Sequence, residues 1–339
     1  VHRSYKEYVI KNKILELVPS RPELEFPEVL EMERHFILHI GPTNSGKTFH
    51  ALEQLRMAQN GIYLGPLRLL ALEVYEKMQD YGTPCTMLTG QECIQDQGSR
   101  VIAATVEMLD IQEEFDIAVI DEAQMVQDDL RGHSWTRAIL GIRAKEIHIC
   151  MSPAAESVIT HLIGLTGDRY EVCRYERKTE LCCENEPFLF PEDVQEGDAL
   201  IVFSKRSVLD IAGRLEKEGI AASVIYGSLP PEIRRRQMHL FTGGKTKVVV
   251  STDAIGMGLN LPVRRIVFIQ MDKYDGNGRR PLQVPEIKQI AGRAGRYGIY
   301  DIGYVTAMGQ PGLEYLSEQL PKNEEPVKTV SLGFPQVLL

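Results

Sequence analysis

Short apolar runs alternate with amphipathic segments along most of this chain, and this alternation restricts the folds that the chain can adopt. In the first half, the apolar runs cover residues 35–40, 61–64, 101–105, 117–120 and 147–150. Segments with helical spacing of apolar residues, such as residues 48–59, separate them. Strands that alternate with helices in this way form a parallel sheet with helices on both faces. The first half therefore predicts an α/β lobe with a mainly parallel sheet.

The alternation stops at a charged, apolar-poor stretch, residues 174–186, and then starts again. New strand candidates cover residues 199–203, 222–226, 248–251 and 266–269, and helix candidates cover 208–217 and 232–241. A length of 339 residues also suits two domains of ordinary size. We therefore predict a first lobe at 31–178 and a second at 179–320, with an N-terminal helical extension at 1–30 and a C-terminal tail at 321–339.

Three features of the sequence indicate in which compartment the protein acts: its opening residues, its hydropathy and its cysteines. Ile10, Ile14 and Leu17 stand at helical spacing, and their charged surroundings are unlike a secretory signal. No stretch approaches the roughly 18 apolar residues of a membrane helix. The six cysteines form no C-x-x-C pair, so we expect reduced thiols rather than a zinc site, in an intracellular protein.

Charge is distributed unevenly along the chain. The net charge is −9, which argues against a protein held on nucleic acid by overall attraction. Residues 205–300, however, contain 17 Lys and Arg against 8 Asp and Glu, so this part carries +9 and the remainder −18. The second lobe is therefore the part that could face phosphates.

An eight-residue run directly after the first predicted strand carries the strongest motif in the chain. It reads GPTNSGKT, fits G-x-x-x-x-G-K-[ST] and opens a helical pattern. The backbone amides of such a loop surround phosphate oxygens, and the helix N-terminus adds a partial positive charge. Lys47 would reach the β- and γ-phosphates of a nucleoside triphosphate, and the Thr48 hydroxyl would bind Mg²⁺, whereas the alternative is a chance match in a Gly-rich turn. The predicted nucleotide-binding residues are Gly41, Pro42, Thr43, Asn44, Ser45, Gly46, Lys47 and Thr48.

A second motif lies at the end of the strand predicted at 117–120, which continues as DEAQ. Asp121 would hold the metal or its water shell, and Glu122 would orient or deprotonate the attacking water. We add Gln124 to the nucleotide-binding residues. An acidic strand end is more commonly a helix cap or a solvated turn, but the preceding phosphate loop favours the catalytic interpretation.

The second lobe offers cations that a phosphoryl-transfer site requires. Residues 289–296 read QIAGRAGR, in which Arg293 and Arg296 are three residues apart and would share one face if this segment is helical. Such arginines stabilise the charge on a transferring phosphoryl group, and the glycines permit close approach. The alternative is a solvated basic helix face.

The motifs GPTNSGKT, DEAQ, VSTDAIGMGLN at 250–260 and QIAGRAGR resemble, in this order and spacing, motifs I, II, V and VI of superfamily-two helicases of the DExH type. The runs at 61–77, 224–235 and 254–268 are similar to those of the mitochondrial degradosome RNA helicase family and its bacterial relatives. The similarity extends from about Arg34 onward. It implies two tandem RecA-like lobes, each with helices on both faces of a mainly parallel sheet. It further implies an enzyme that hydrolyses MgATP to move along and unwind RNA, 3′ to 5′, in RNA turnover.

The resemblance also implies roles for single residues. Gln289, Arg293 and Arg296 match the motif VI positions that reach the γ-phosphate, and Asp253, Gly256 and Gly258 match positions where the nucleotide and nucleic-acid sites communicate. For the hydroxyl side chains, turn capping is an equally good explanation. Contacts to the RNA backbone are implied for Pro66, Arg68, Thr89, Gly90, Thr105, Ser204, Lys205 and Thr252.

Several alternatives stay open at this point. Ser152 and Pro153 stand where many related helicases have Ser-Ala-Thr, and residues 272–279 could be a strand-splitting hairpin or a plain surface loop. A DNA helicase or translocase would share the same motifs, and a nucleotide-controlled RNA-binding module without turnover is a rival that Glu122 disfavours. The family resemblance implies single-stranded or tailed duplex RNA as substrate and an exoribonuclease as partner. It places the protein in the mitochondrial matrix or the bacterial cytoplasm.

Overall fold

The computed structural model describes residues 21–256 and 261–333. The described residues form two compact units, of which the first holds 21–41, 47–175 and 326–333, and the second holds 42–46, 176–256 and 261–325. The helix expected before Pro19 and the motif V residue Gly258 lie outside the described residues. The domain bounds inferred from the sequence remain a prediction.

The first unit is built on a sheet of eight strands in the described chain, with the order β4-β3-β5-β2-β6-β7-β1-β8. Neighbouring strands are parallel, except that β4 is antiparallel to β3. The strands are β1 (His35–Ile40), β2 (Gly61–Gly65), β3 (Cys85–Leu88), β4 (Cys93–Ile94), β5 (Val101–Thr105), β6 (Glu114–Ile120), β7 (Arg143–Met151) and β8 (Arg169–Arg174). All five predicted strands are present. The sequence missed β3, β4 and β8, which have too few consecutive apolar residues.

Helices cover both faces of this sheet, as predicted. The side chains of β2 alternate between two cores, because Ile62 and Leu64 pack on one face and Tyr63 on the other. The first face is covered by α4 and α5, and the second by α2 and α3. The helices are α1 (Pro27–Leu30), α2 (Lys47–Leu55), α3 (Arg68–Asp80), α4 (Gly132–Gly141) and α5 (Glu156–Thr166).

The helix predicted at 48–59 ends earlier than expected, at Leu55. The chain reverses there to enter β2 at Gly61, where an added Cβ would lie 2.6 Å from Leu55 Cδ1 and 3.1 Å from the Ala58 Cβ. A side chain at residue 61 would therefore displace the buried Leu55, which favours glycine at the start of β2.

The second unit contains a parallel sheet with the order β11-β12-β10-β13-β16-β9, together with the antiparallel pair β14-β15. Its strands are β9 (Glu180–Cys183), β10 (Asp198–Ile201), β11 (Ala222–Ile225), β12 (Val248–Ser251), β13 (Arg265–Phe268), β14 (Asp272–Tyr274), β15 (Arg279–Pro281) and β16 (Ile302–Ala307). Its helices are α6 (Lys205–Lys217), α7 (Pro231–Thr242), α8 (Val284–Ala291) and α9 (Gly309–Gln319). The predicted architecture of two mainly parallel α/β lobes is confirmed.

The charged stretch at 174–186, where the alternation of the sequence stops, is only partly a connection. It contains β9, an edge strand that pairs in parallel with β16 from Glu180 opposite Ile302 to Cys183 opposite Val305. Edge strands need fewer apolar residues because one side meets no further strand. Residues 272–279, which the sequence left open, include β14 and the start of β15. No helix of the described chain is long and apolar enough to cross a membrane.

A buried ion pair anchors the second sheet. Arg265 at the start of β13 donates from Nε to Asp198 Oδ1 at 2.9 Å and from Nη2 to Asp198 Oδ2 at 2.7 Å, and only 8% and 2% of these side chains are exposed. The same guanidinium donates to Glu184 and to the Asp193 carbonyl. It therefore joins β13, the start of β10 and the segment after β9.

We expect Arg265→Met to lower the free energy of unfolding by about 3–5 kcal/mol, because Asp198 would stay buried without its cation. Urea denaturation measures the change. Lys247→Met is the matched control, since Lys247 and Glu196 form an ion pair 3.0 Å long whose side chains are mostly exposed, and its loss should cost less than about 1 kcal/mol. Equal losses in both variants would contradict this role of Arg265.

Candidate functional site

The sequence motifs of the first unit meet at one edge of its sheet. Asp121 follows β6, Ser152 follows β7 and Gly41 follows β1, and these three strands are neighbours in the sheet. The carboxyl ends of parallel strands lie at the same edge, where ligands of α/β proteins bind. The topology therefore gathers residues that are separated by up to 111 positions in the sequence.

The phosphate-loop sequence has the backbone that such a loop requires. Asn44 and Gly46 adopt left-handed backbone angles, with φ of 62° and 86°, and Lys47 begins α2. The Lys47 side chain is buried, and the Ser45 hydroxyl is buried without a hydrogen-bond partner among the described residues. Buried polar groups of this kind are costly unless a ligand compensates them. The loop thus fits an anion with several oxygen acceptors.

Asp121 is held by side chains from three different elements. Thr48 Oγ1 donates to its Oδ1 at 3.3 Å, and the Tyr63 hydroxyl donates to its Oδ2 at 3.1 Å. The indole Nε1 of Trp135 donates to its backbone carbonyl at 2.9 Å. Asp121, Tyr63 and Trp135 are all buried. The carboxylate is therefore fixed in orientation before any ligand binds.

Burial and, as a smaller effect, the negative charge of Glu122 raise the pKa of Asp121 to about 6. The Lys47 ammonium and hydrogen bonds from the Glu122 N–H and the Tyr63 hydroxyl act in the opposite direction. Burial and the Asp121 charge also raise the pKa of Tyr63 well above its usual value, so Tyr63 stays a donor.

The donor atoms at this edge suit a magnesium ion, which prefers oxygen ligands and retains several waters. A hydroxyl from Thr48 and a carboxylate from Asp121 lie side by side, as the sequence predicted for the metal. The described residues contain no group of three or more His, Cys, Asp or Glu side chains that could hold a metal by themselves. The remaining ligands would have to come from the nucleotide and water.

Glu122 is the most strained residue of the site. Its φ of 52° is left-handed, which costs about 1–3 kcal/mol for a residue with a Cβ. Gln124 holds it in place, since the Gln124 amide donates to the Glu122 carboxylate and its Oε1 accepts from the Ser152 N–H at 3.1 Å. One side chain thus connects Glu122 to the segment after β7.

The second unit places the arginines of QIAGRAGR after the end of a helix, so the condition for a shared helix face is not met. Gln289 lies in α8, which ends at Ala291, before Arg293 and Arg296. Gly295 adopts a φ of 71°, and an added Cβ would lie 2.9 Å from the Gly303 nitrogen. The close approach of β16 and the positive φ both require glycine at this position.

This turn contacts the segment of motif V within the second unit. Arg293 donates to the Gly256 carbonyl from Nε at 3.1 Å and from Nη2 at 2.6 Å. Asp253, three residues earlier, forms an ion pair with Lys273 of β14 at 3.4 Å. The structure thus brings together Arg293, Gly256 and Asp253, which the sequence predicted as parts of two separate motifs.

The residues predicted to contact RNA make local contacts in both units. The hydroxyls of Thr89, Ser204 and Thr252 accept from the N–H groups of Glu92, Ser207 and Ala254, which is the capping that the sequence left as the alternative. Three of the other residues contact neighbouring side chains: Arg68 donates to Gln91 and Glu92, the Pro66 carbonyl accepts from Arg131, and the Lys205 ammonium lies over the Tyr226 ring. The remaining two are Thr105, the last residue of β5, and the exposed Gly90. Their contact with RNA stays a prediction.

Two residues that hold Asp121 could not be recognised from the sequence. Tyr63 belongs to an apolar run that reads as an ordinary buried strand. Trp135 is fully buried, and nothing in the sequence pointed to its hydrogen bond with Asp121. Both contacts depend on which strands become neighbours.

Comparisons with known proteins agree with the site. Residues 22–175 match the family described as the DEXQ-box helicase domain of Suv3, and residues 178–298 match the helicase conserved C-terminal domain. The chain is 39% identical to the mitochondrial ATP-dependent RNA helicase SUV3 of Candida albicans over 98% of its own length and 47% of that protein. It is 43% identical to the mitochondrial DExH-box ATP-dependent RNA helicase DExH16 of Arabidopsis thaliana, over 93% of its own length and 56% of that protein. The chain spans about half the length of the curated relatives it matches.

The fold also resembles that of a solved helicase structure. Saccharomyces cerevisiae Dbp5 bound to RNA and ADP BeF3 matches with a TM-score of 0.62 and 16% identity, over 91% of this chain and 89% of that one. At this identity the likeness concerns the fold alone. It supports the RecA-like character that the motifs implied for the two lobes.

We expect Tyr63→Phe to weaken Mg²⁺-dependent ATP binding about tenfold at pH 6, as changes beside a metal ligand commonly do. Loss of the hydroxyl removes a hydrogen bond that lowers the pKa of Asp121, so the carboxyl is more protonated near pH 6. The defect should shrink at pH 8, where the carboxyl is ionised in both proteins. Titration of a fluorescent ATP analogue with Mg²⁺ measures this, with the exposed Tyr81→Phe as control. A defect that is equal at both pH values would contradict this assignment.

Proposed function

Because the chain belongs to the Suv3 family of DEXQ-box helicases, we propose that it hydrolyses ATP to move along and unwind RNA. The observation that carries the proposal is the cluster of Lys47, Thr48, Asp121 and Glu122 at one edge of the first sheet. Thr48 and Asp121 are 3.3 Å apart there, and Lys47 is buried beside them. We take RNA as the nucleic acid because the relatives described above are named RNA helicases.

The phosphate loop would bind the triphosphate. Its backbone amides and the N-terminus of α2 present donors to phosphate oxygens, and Lys47 adds a full positive charge from within the fold. We assign the same task to the Ser45 hydroxyl, which is buried and has no protein partner in the described chain. Thr48 and Asp121 would hold Mg²⁺, which when bound neutralises charge on the phosphates.

Glu122 would prepare the attacking water. Its carboxylate is exposed enough to meet solvent, and the Gln124 amide limits its movement. A carboxylate in this position orients water and accepts its proton as the bond to phosphorus forms. The strained backbone of Glu122 is consistent with this task, because strain is retained where geometry matters for function.

The second unit would contribute the cations and much of the RNA surface. We assign Gln289 of α8 and Arg293 and Arg296 of the following turn to the γ-phosphate. Backbone phosphates of RNA would meet Ser204, Lys205 and Thr252. The excess of Lys and Arg over residues 205–300 favours contacts that are independent of base sequence.

The direction of movement, the exoribonuclease partner and the compartment belong to the same proposal. The family resemblance supports 3′ to 5′ movement in RNA turnover, and the relatives named above are mitochondrial proteins. If this chain comes from a eukaryote, we expect it in the mitochondrial matrix. The bacterial relatives would act in the cytoplasm.

Replacement of Glu122 by Gln should keep ATP binding within about threefold but lower the rate of hydrolysis by a factor of about 100 or more, since the amide cannot accept the proton. Nucleotide binding and phosphate release measure the two effects separately. Glu113→Gln, at an exposed position just before β6, serves as the control. Unchanged hydrolysis in Glu122→Gln would remove Glu122 from the mechanism.

RNA should stimulate ATP hydrolysis more strongly than DNA of the same sequence. The stimulation should fall as salt rises, because binding to backbone phosphates releases counterions. Steady-state ATPase rates with each nucleic acid, at two salt concentrations, provide the test. Stronger stimulation by DNA would favour a DNA translocase, and ATP binding without turnover would favour a nucleotide-controlled RNA clamp.

A further inference from the structure

The chain returns to the first unit after it has completed the second. Residues 320–325 lead away from α9, and residues 327–331, here called the strap, then pack on the first unit. Val327 is 5% exposed and belongs to the core that contains Trp135, and Val330 packs against the same core. The strap has no regular secondary structure, so specific contacts must hold it.

Ser331 carries most of these contacts. Its N–H donates to the Val126 carbonyl and its hydroxyl donates to the Asp128 carbonyl, each at 2.8 Å. Its own carbonyl accepts from the Thr136 hydroxyl, also at 2.8 Å. All three polar groups of this serine are thus directed at the segment that follows the DEAQ motif and at α4, which carries Trp135.

The other end of the strap contacts a different segment. The Val327 N–H donates to the Ala154 carbonyl at 2.8 Å, and Ala154 lies two residues after Ser152. The strap therefore joins residues 126–128 to residues 152–155. The Gln124 side chain makes a second link between the segment after β6 and the segment after β7, because it contacts Glu122 in the former and the Ser152 N–H in the latter.

We propose that the strap is a positioning element for ATP hydrolysis. It fixes the segment after β6 against the segment after β7 and so supports the link through which Gln124 holds Glu122. Val327 and Ser331 touch neither nucleotide nor water in this role. The inference rests on the proposed function, since it assigns the strap to the placement of Glu122.

Two substitutions, one in α4 and one in the strap, each remove a hydrogen bond that holds Ser331 in place. Thr136→Val removes the donor to the Ser331 carbonyl and keeps the shape of a buried side chain, while Ser331→Ala removes the donor to the Asp128 carbonyl. We expect each to lower the RNA-stimulated kcat about tenfold, because small displacements of catalytic groups are costly. The KM for ATP should stay within about twofold, since the phosphate loop is untouched. The combined variant should resemble either single variant, because both release the same attachment.

Two control variants remove hydroxyls that make only local contacts. Thr160→Val affects a hydroxyl that bonds to the Glu156 carbonyl within α5, and Ser317→Ala affects one that bonds to the Glu314 carbonyl within α9. Both should leave kcat unchanged. They make the same chemical changes as the test variants, but the hydroxyls that they remove bond within one helix and do not link two segments.

Hydrogen–deuterium exchange gives a readout that does not depend on activity. In Thr136→Val and Ser331→Ala, the amides of Ser152, Ala154 and Ala155 should exchange faster than in the unmodified chain, although neither substituted side chain contacts them. A local structural role would alter exchange only around residues 126–136.

The outcomes separate the two proposals. Unmodified protein without RNA-stimulated hydrolysis would overturn the proposed function and, with it, the catalytic role of the strap. Active unmodified protein, with test variants that keep their kcat or change exchange only near 126–136, would overturn the strap proposal alone. A reduced kcat with an unchanged KM, together with faster exchange at 152–155, would support it.

Discussion

The buried carboxylate of Asp121 is the feature on which the first unit depends. Removing this charge from water costs free energy. Hydrogen bonds from the Thr48 and Tyr63 hydroxyls and the positive charge of Lys47 offset that cost. The compensation works only if β2, β6 and the start of α2 are in their observed places. The same arrangement that stabilises the acid therefore brings a hydroxyl, a carboxylate and an ammonium group together, which is the chemistry that a phosphoryl-transfer site needs.

At Glu122 the cost in free energy comes from a strained backbone and not from a buried charge. A left-handed residue with a Cβ persists only when its surroundings fix it. The Gln124 amide does so from the side of β7, and the strap links the same two segments through main-chain hydrogen bonds. Two links between one pair of segments resist relative movement better than one, which gives the residues after the second unit a role in the first.

Around the turn after α8 in the second unit, close backbone approach is the main constraint. Gly295 lets the turn after α8 pass within contact distance of β16, and the turn directs Arg293 onto the Gly256 carbonyl. Arg293 therefore has a defined position within its own unit, although no helix holds it.

The sequence by itself determined the α/β class, two lobes, the main strands and the motifs at their ends, because hydrophobic periodicity and glycine positions are local properties. It failed where the cause was not local. The turn at Arg293 and Arg296 and the edge strands β8 and β9 depend on strands that are distant in the chain. Tyr63, Trp135 and Ser331 carry no motif at all. Only the tertiary structure decided their partners, because hydrogen bonds between elements depend on strand order, which spacing along one chain does not encode.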